Sequence, residues 1–182
     1  MYTDERNARI DLYDSLDLDG LLALERGASS DVDLLVFIGQ HFLELGQFDR
    51  CHAYYKRALA LDPDDGWTHL YMGNLCYAIS CYDESEKHFK RAIELLPRVA
   101  CPHWCLADIY EKQGYWSRTE HHYRRAIEID PLDETARRRL EAWLAENRSC
   151  TENQSPLPES DRTLQGLDSA AKAGRDLRPG SE

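Results

Sequence analysis

The stretch HFKRAIELLP, His88 to Pro97, recurs with small changes at one fixed spacing along the chain. Thirty-four residues earlier stands YYKRALALDP, Tyr54 to Pro63, and thirty-four residues later stands HYRRAIEIDP, His122 to Pro131. A fixed period of this length indicates a structural unit that the chain stacks several times. Within each copy the apolar residues lie three and four apart, which predicts a helix that ends before the proline.

The rest of each period also has the pattern of a helix. Leu35, Ile38 and Phe42 follow helical spacing, and residues 31–131 show the same pattern throughout. Helix breaks are predicted at Gly46, residues 63–66, Ser80, Pro97 and Gly114. The breaks delimit six helices, two in each period. A seventh is predicted over residues 132–148, with Asp133 as its N-cap.

Two helices in every thirty-four residues are typical of the tetratricopeptide repeat. Residues 31–131 resemble that family at corresponding positions of each period: Leu35, Ile38, Gly39, Phe42, Cys51, Tyr55, Ala58 and Pro63 in the first; His69, Met72, Gly73, Cys76, Ser85, Phe89, Ala92 and Pro97 in the second; His103, Leu106, Ala107, Tyr110, Thr119, Tyr123, Ala126 and Pro131 in the third. The chain departs from the family by placing Leu35, His69 and His103 where tryptophan is usual.

The resemblance implies an all-α fold, an α-solenoid of three helix-turn-helix repeats at about residues 32–65, 66–99 and 100–131. Small residues at Gly39, Gly73 and Ala107 let the second helix of each repeat lie close to the first. Aromatic residues at Tyr55, Phe89 and Tyr123 fill the space beside them. The helix over residues 132–148 is expected to cap the array, with Arg137, Arg138 and Arg139 on its outer side.

The two ends of the chain differ from the repeats in composition. Residues 1–30 are acidic, and one short helix is predicted around Leu16–Leu24, with Gly27 as its stop. Residues 149–182 lack aromatic, isoleucine and valine residues and are rich in polar residues, so we expect them to be disordered.

The composition argues against several classes of function. The formal net charge is -11 and the pI is about 5.1, which disfavours binding to nucleic acid or to an anionic membrane. The chain shows neither a signal-peptide pattern nor an apolar run of transmembrane length, so we expect a cytoplasmic protein.

The resemblance implies a binding scaffold whose first helices line a concave groove for a peptide or a partner helix. Residues of those helices outside the core stripe form the predicted groove: Val36, Phe37, Gln40, Glu44, Trp67, Leu70, Tyr71, Asn74, Tyr77, Cys101, Trp104, Cys105, Asp108 and Glu111. The set is aromatic and acidic, which favours an apolar or basic partner segment. The alternative is that several of its aromatic residues only pack between repeats.

Some members of the family hold the C-terminal carboxylate of heat-shock chaperones with a set of lysine, asparagine and arginine residues. The matching positions here are Val36, Gln40, Tyr71, Cys101 and Cys105, and none is a cation. A carboxylate clamp is therefore not predicted.

Other sites have weaker support in the sequence. Cys101, His103 and Cys105, with His121 and His122 nearby, suggest zinc, but the usual spacing of zinc ligands is absent. The segment SLDLDG has Ser15 at the first ligand position of a calcium loop, and Arg26 stands where the glutamate belongs.

No catalytic motif is found, so we predict a non-catalytic protein without a cofactor. Two other functions stay open, a cytosolic chaperone of the type III secretion class and a metal or thiol-redox protein that uses Cys101 and Cys105.

Overall fold

A computed structural model describes residues 2–27 and 30–151, and all regular elements within them are α-helices. The helices are α1 Tyr2–Asp14, α2 Leu18–Glu25, α3 Val32–Glu44, α4 Phe48–Leu61, α5 Gly66–Ala78, α6 Tyr82–Leu95, α7 Cys101–Lys112, α8 Trp116–Ile129 and α9 Glu134–Thr151. The backbone of α9 is interrupted at Asn147, which has a non-helical φ of -120°. Most of the predicted tail, from residue 152 onward, lies outside the described residues.

The helices belong to two units, Met1–His88 and Phe89–Glu182, and α6 begins in the first unit and ends in the second. In the first unit α3 packs against α4, α4 against α5, and both α1 and α2 against α3. In the second unit α7 packs against α8, and α8 against α9. The predicted all-helical fold of tandem helix-turn-helix repeats is confirmed.

The turn inside each repeat has the same backbone conformation in all three copies. Gly46, Ser80 and Gly114 have φ values of 67°, 64° and 76°, which is the left-handed region. The residue after each one donates its N–H to the carbonyl five positions back, at 2.8 Å in every case: Gln47 to Phe42, Cys81 to Cys76 and Tyr115 to Tyr110. This cap satisfies the last carbonyls of the first helix and reverses the chain.

Aspartates begin the helices α3, α5 and α9, again in register with the thirty-four-residue period. Asp31, Asp65 and Asp133 accept hydrogen bonds from the N–H groups of Leu34, Thr68 and Ala136 at 3.2, 2.7 and 3.2 Å. The prediction that Asp133 is an N-cap is confirmed. Helix α7 begins without a side-chain cap and has a proline, Pro102, in its first turn instead.

The close approach of the two helices in the first repeat depends on Gly39. A Cβ atom added there would lie 2.4 Å from Cε1 of Tyr55, whose side chain is completely buried. In the second repeat the hydroxyl of Ser85 donates to the carbonyl of Gly73 at 2.7 Å. The predicted core aromatics Tyr55, Phe89 and Tyr123 are all buried.

Two histidine pairs occupy corresponding places in the second and third periods. Nδ1 of His69 lies 3.0 Å from Nδ1 of His88, and the same distance separates Nδ1 of His103 from Nδ1 of His122. At such a distance one ring donates a proton and the other accepts it, so at least one ring must be neutral. His103 and His122 are buried, and burial lowers the pKa of His103 to about 3 and the pKa of His122 well below its usual value.

The N-terminal segment holds more helix than the sequence predicted. The expected short helix corresponds to α2, whose N-cap Asp17 accepts from the Gly20 N–H at 2.9 Å and whose Leu21 is fully buried. Helix α1 precedes it and was not predicted, because Tyr2–Asp14 lacks a continuous apolar stripe.

We expect Gly39→Ala to destabilise the protein by about 1–3 kcal/mol, since the added methyl group overlaps the ring of Tyr55. Urea unfolding measures the change. Gly27→Ala is the matched control, because the nearest atom to its added Cβ is the Leu24 carbonyl oxygen at 3.7 Å. Equal stability of the two variants would contradict the proposed close packing.

We expect stability to fall below about pH 6.5. The pKa values of His103 and His122 are lowered by folding, so the unfolded chain binds more protons, and stability present above the unfolded pKa is lost as pH falls. His103, with a pKa of about 3 in the folded chain, accounts for about 2 kcal/mol between pH 7.5 and pH 5, and His122 changes stability in the same direction.

The measurement is urea unfolding at both pH values. The double variant His103→Phe, His122→Phe should lose much of the pH dependence. The variant His52→Gln, at an exposed position, should keep it. Equal pH dependence in all three proteins would refute the assignment.

Candidate interaction surface

In the first unit a cavity of about 430 Å³ lies among α1, α3 and α5. Its lining combines aromatic rings, carboxylates and one guanidinium group: Arg6, Asn7, Ile10, Asp33, Val36, Phe37, Asp65, Trp67 and Tyr71. Four of the predicted groove residues, Val36, Phe37, Trp67 and Tyr71, are among them. We call Asp33, Phe37, Asp65, Trp67 and Tyr71 the first-unit face.

Two aromatic rings of the first-unit face, those of Phe37 and Tyr71, contact other rings and also line the cavity. The ring of Tyr71 stacks on that of Tyr55, with centroids 6.2 Å apart and an interplanar angle of 28°. The ring of Phe37 meets Tyr13 edge-on at 5.9 Å. Trp67, near the start of α5, is 40% exposed, which is high for a tryptophan. The rings of Phe37 and Tyr71 are therefore held by neighbouring rings, and Trp67 offers exposed apolar surface for a ligand.

The carboxylates of the first-unit face attract positive charge. Arg6 Nε lies 3.0 Å from Asp33 Oδ2, and Arg6 Nη2 lies 2.7 Å from Asp33 Oδ1. Asp65 Oδ1 lies 3.9 Å from the same Nη2, while Asp65 Oδ2 accepts from the N–H and hydroxyl of Thr68. The hydrogen bond to Asp33 raises the pKa of Arg6. The cavity therefore places the Asp33 carboxylate, whose two oxygens both accept hydrogen bonds, beside aromatic rings.

The second unit has a related group of residues on α7 and α9. The Tyr123 hydroxyl donates to Asp108 Oδ1 at 2.6 Å and is 3.3 Å from Glu111 Oε2. Burial and then the bond to Asp108 raise the pKa of Tyr123. The Arg139 guanidinium contacts Asp108 and lies 4.7 Å from the centroid of the Trp104 ring. We call Trp104, Asp108, Glu111 and Arg139 the second-unit face.

The expectation that Arg139 points outward with Arg137 and Arg138 is wrong. Arg139 is half-buried, because its side chain reaches Asp108 and Trp104 on α7. The repeat period does indicate a groove position here, because Arg139 lies three periods of thirty-four residues after Phe37. The predicted groove ended at the third repeat and therefore did not include Arg139.

The other predicted groove residues differ in exposure. Val36, Leu70 and Cys105 are buried, at 6%, 3% and 5% exposure, so at most a small part of each side chain is accessible. Gln40, Asn74, Tyr77 and Cys101 are half-buried, and Glu44 is exposed. The structure brings Phe37, Trp67 and Tyr71 together in one unit and Trp104, Asp108 and Glu111 together in the other.

The thiols of Cys101 and Cys105 form a contact, with their Sγ atoms 3.8 Å apart. The hydrogen bond with Cys105 lowers the pKa of Cys101, and burial raises the pKa of Cys105. Within residues 2–27 and 30–151, no group of three or more histidine, cysteine, aspartate or glutamate side chains is arranged to hold a metal ion.

The sequence profile of the tetratricopeptide repeat matches residues 32–65, which is the first predicted repeat. The chain has the tetratricopeptide-repeat fold. The thermophilic tetratricopeptide-repeat protein TTC0263 of Thermus thermophilus is 19% identical with a TM-score of 0.66, and the match covers 70% of this chain and 71% of that protein. MamA from Desulfovibrio magneticus RS-1 is 15% identical with a TM-score of 0.63, over 87% and 85% of the two chains.

A third similar structure is the first tetratricopeptide-repeat domain of Spaghetti (RPAP3) bound to an HSP90 peptide. It is 14% identical with a TM-score of 0.60, over 64% of this chain and 93% of that one. No curated protein sequence matches this chain. Identities this low establish the fold alone. Every helix in the described part of the chain is too short or too polar to span a bilayer.

We expect Arg139→Ala to lower the free energy of unfolding by about 1 kcal/mol, because it removes an ion pair with Asp108 and a cation–π contact with Trp104. Arg138→Ala is the matched control on the same helix, at an exposed position, and should change stability by less than about 0.5 kcal/mol. Urea unfolding of both variants checks this, and a larger loss for Arg138→Ala would overturn the assignment.

Proposed function

We propose that the protein is a non-catalytic interaction scaffold that binds a basic and apolar protein segment at its first-unit face. The observation that carries the proposal is the cavity of about 430 Å³, lined by Phe37, Trp67 and Tyr71 together with Asp33 and Asp65. Preformed aromatic walls with a few convergent polar groups are typical of ligand sites. Repeat arrays commonly use such surfaces to bind other proteins.

The charge of the chain supports a basic partner. With a formal net charge of -11, the protein attracts a cationic segment at long range and repels an acidic one. At short range Asp33 and Asp65 provide carboxylate oxygens beside the exposed ring of Trp67. Aromatic side chains that are rigidly held and partly exposed are the residues that dominate binding energy at interfaces.

The partner is not expected to be the C-terminal carboxylate of a heat-shock chaperone. Spaghetti (RPAP3) binds an HSP90 peptide. In this chain the positions that match the family's carboxylate clamp, Val36, Gln40, Tyr71, Cys101 and Cys105, carry no positive charge. The nearby carboxylates would repel a carboxylate ligand.

We expect Trp67→Ala to weaken peptide binding about thirtyfold, the effect of losing an interface anchor worth about 2 kcal/mol, with little change in stability. A random peptide library displayed on phage is selected against the full chain. The affinities of the recovered peptides are then measured by fluorescence anisotropy for wild type and variants.

The matched control is Phe48→Ala, an aromatic residue of α4 that is 38% exposed and lies outside the cavity. It should bind the peptides as wild type does. The proposal fails if selection enriches no peptide, if the peptides are acidic, or if Trp67→Ala and Phe48→Ala bind equally well.

A further inference from the structure

The cavity of the first-unit face already contains a basic side chain from the same chain. Arg6, on α1, places two guanidinium nitrogens on the two oxygens of Asp33, at 3.0 and 2.7 Å. It also lies within 3.9 Å of Asp65 and lines the cavity with Phe37 and Trp67. A parallel two-point contact of this kind fits the planar guanidinium group and cannot be made by lysine.

Helix α1 is held mainly by polar contacts at its exposed side chains. The side chains of Arg6 and Arg9 are 46% and 52% exposed, and Arg9 Nε lies 3.6 Å from Asp31 Oδ2. Of the described α1 side chains only Tyr13 is buried, and its hydroxyl donates to Asp31 at 3.1 Å. Partly exposed ion pairs contribute little stability, and Tyr13 is the one buried side chain among those described, so α1 is attached less firmly than the helices of the repeats.

The next helix buries more apolar surface, because Leu18 and Leu22 pack against the core beside Leu21. Leu21 of α2 is fully buried, and Glu25 accepts from the Tyr54 hydroxyl at 2.8 Å and from Arg57 at 2.6 Å. Residues 15–17 connect the two helices without helical structure. The chain can therefore release α1 at this connection while α2 stays in place.

Resting on the function proposed above, we propose that the first-unit face is a recognition site for an arginine of the partner, and that Arg6 occupies this site and competes with the partner. The partner arginine takes the place of Arg6 on Asp33, beside the rings of Phe37 and Trp67, which favour a cation. Binding displaces Arg6 from Asp33 and so loosens α1. The measured affinity for the partner is then the intrinsic affinity multiplied by the fraction of molecules in which Arg6 has left Asp33.

The proposal predicts opposite effects for the two members of the ion pair. Arg6→Gln should strengthen binding of the tightest phage-selected peptide about twofold to fivefold, which is the contribution of an exposed ion pair. Asp33→Asn should weaken it about tenfold or more, since the peptide loses its charge partner. If Asp33 served only to hold α1, then Asp33→Asn would strengthen binding as Arg6→Gln does.

The matched control for charge is Arg26→Gln, which removes one positive charge at an exposed position of the same unit, outside the cavity. It should leave the affinity unchanged. An increase equal to that of Arg6→Gln would show that net charge alone is responsible, and would overturn the proposal. Circular dichroism melting of each variant checks that it folds.

A second measurement uses only the wild-type chain and therefore does not depend on the folding of a variant. Hydrogen exchange in residues 2–14 is followed with the selected peptide and with a copy in which citrulline replaces arginine. We expect faster exchange in α1 with the arginine peptide and little change with the citrulline peptide.

A synthetic peptide with the sequence of Tyr2–Asp14 should also compete with the selected peptide, and its Arg6→Gln form should compete less well. Selected peptides that lack arginine, or unchanged exchange in α1, would refute this inference and leave the scaffold function standing. Failure to select any peptide would refute both.

Discussion

The contact between Tyr55 and Gly39 determines which face of α3 is buried inside the first repeat and which face remains for other contacts. A Cβ at Gly39 would lie 2.4 Å from the tyrosine ring, so only glycine lets α4 approach α3 this closely. That approach buries Leu35, Ile38 and Phe42, which form one face of α3. The adjacent face of the same helix carries Asp33 and Phe37, and it is left for α1 and for the cavity. The site therefore depends on a packing contact on the neighbouring face of the same helix.

The sequence predicted those parts of the fold that repeat. Positions thirty-four residues apart have the same physical role, so three imperfect copies determine each role better than one could. The left-handed turns at Gly46 and Gly114 and the cap at Asp133 follow from local chemistry. Helix α1 could not be predicted in this way. It has no apolar stripe, and its attachment depends on ion pairs between residues far apart in sequence, such as Arg6 and Asp33.

The sequence predicted those residues of the candidate site whose positions follow from the pattern of a single helix. Phe37 and Tyr71 occupy equivalent positions of their repeats, and the cavity includes both. Removing the core stripe of a helix identifies its remaining face but does not show which neighbouring helix covers that face. Val36, Leu70 and Cys105 were predicted to line a groove and are buried. Arg6 was not predicted, because its helix lies outside the three repeats and its role depends on a tertiary contact. Arg139 follows the repeat period but lies beyond the third repeat, where the predicted groove ended.

Arg6 and Arg139 have related physical roles, each within its own unit. Arg6 contacts Asp33 in a cavity that also contains Phe37 and Trp67, and Arg139 contacts Asp108 and lies over Trp104. Aromatic surface next to carboxylates attracts cations. In each unit an arginine from a flanking helix pairs with the carboxylate, and Arg139 also covers the ring of Trp104. The two sites differ in how firmly that arginine is held. Arg139 belongs to a helix anchored by the buried Leu140 and Trp143, whereas α1 has only Tyr13 buried among its described side chains. Displacing Arg6 therefore requires less loss of apolar packing than displacing Arg139, so a competing ligand has easier access to the first-unit face.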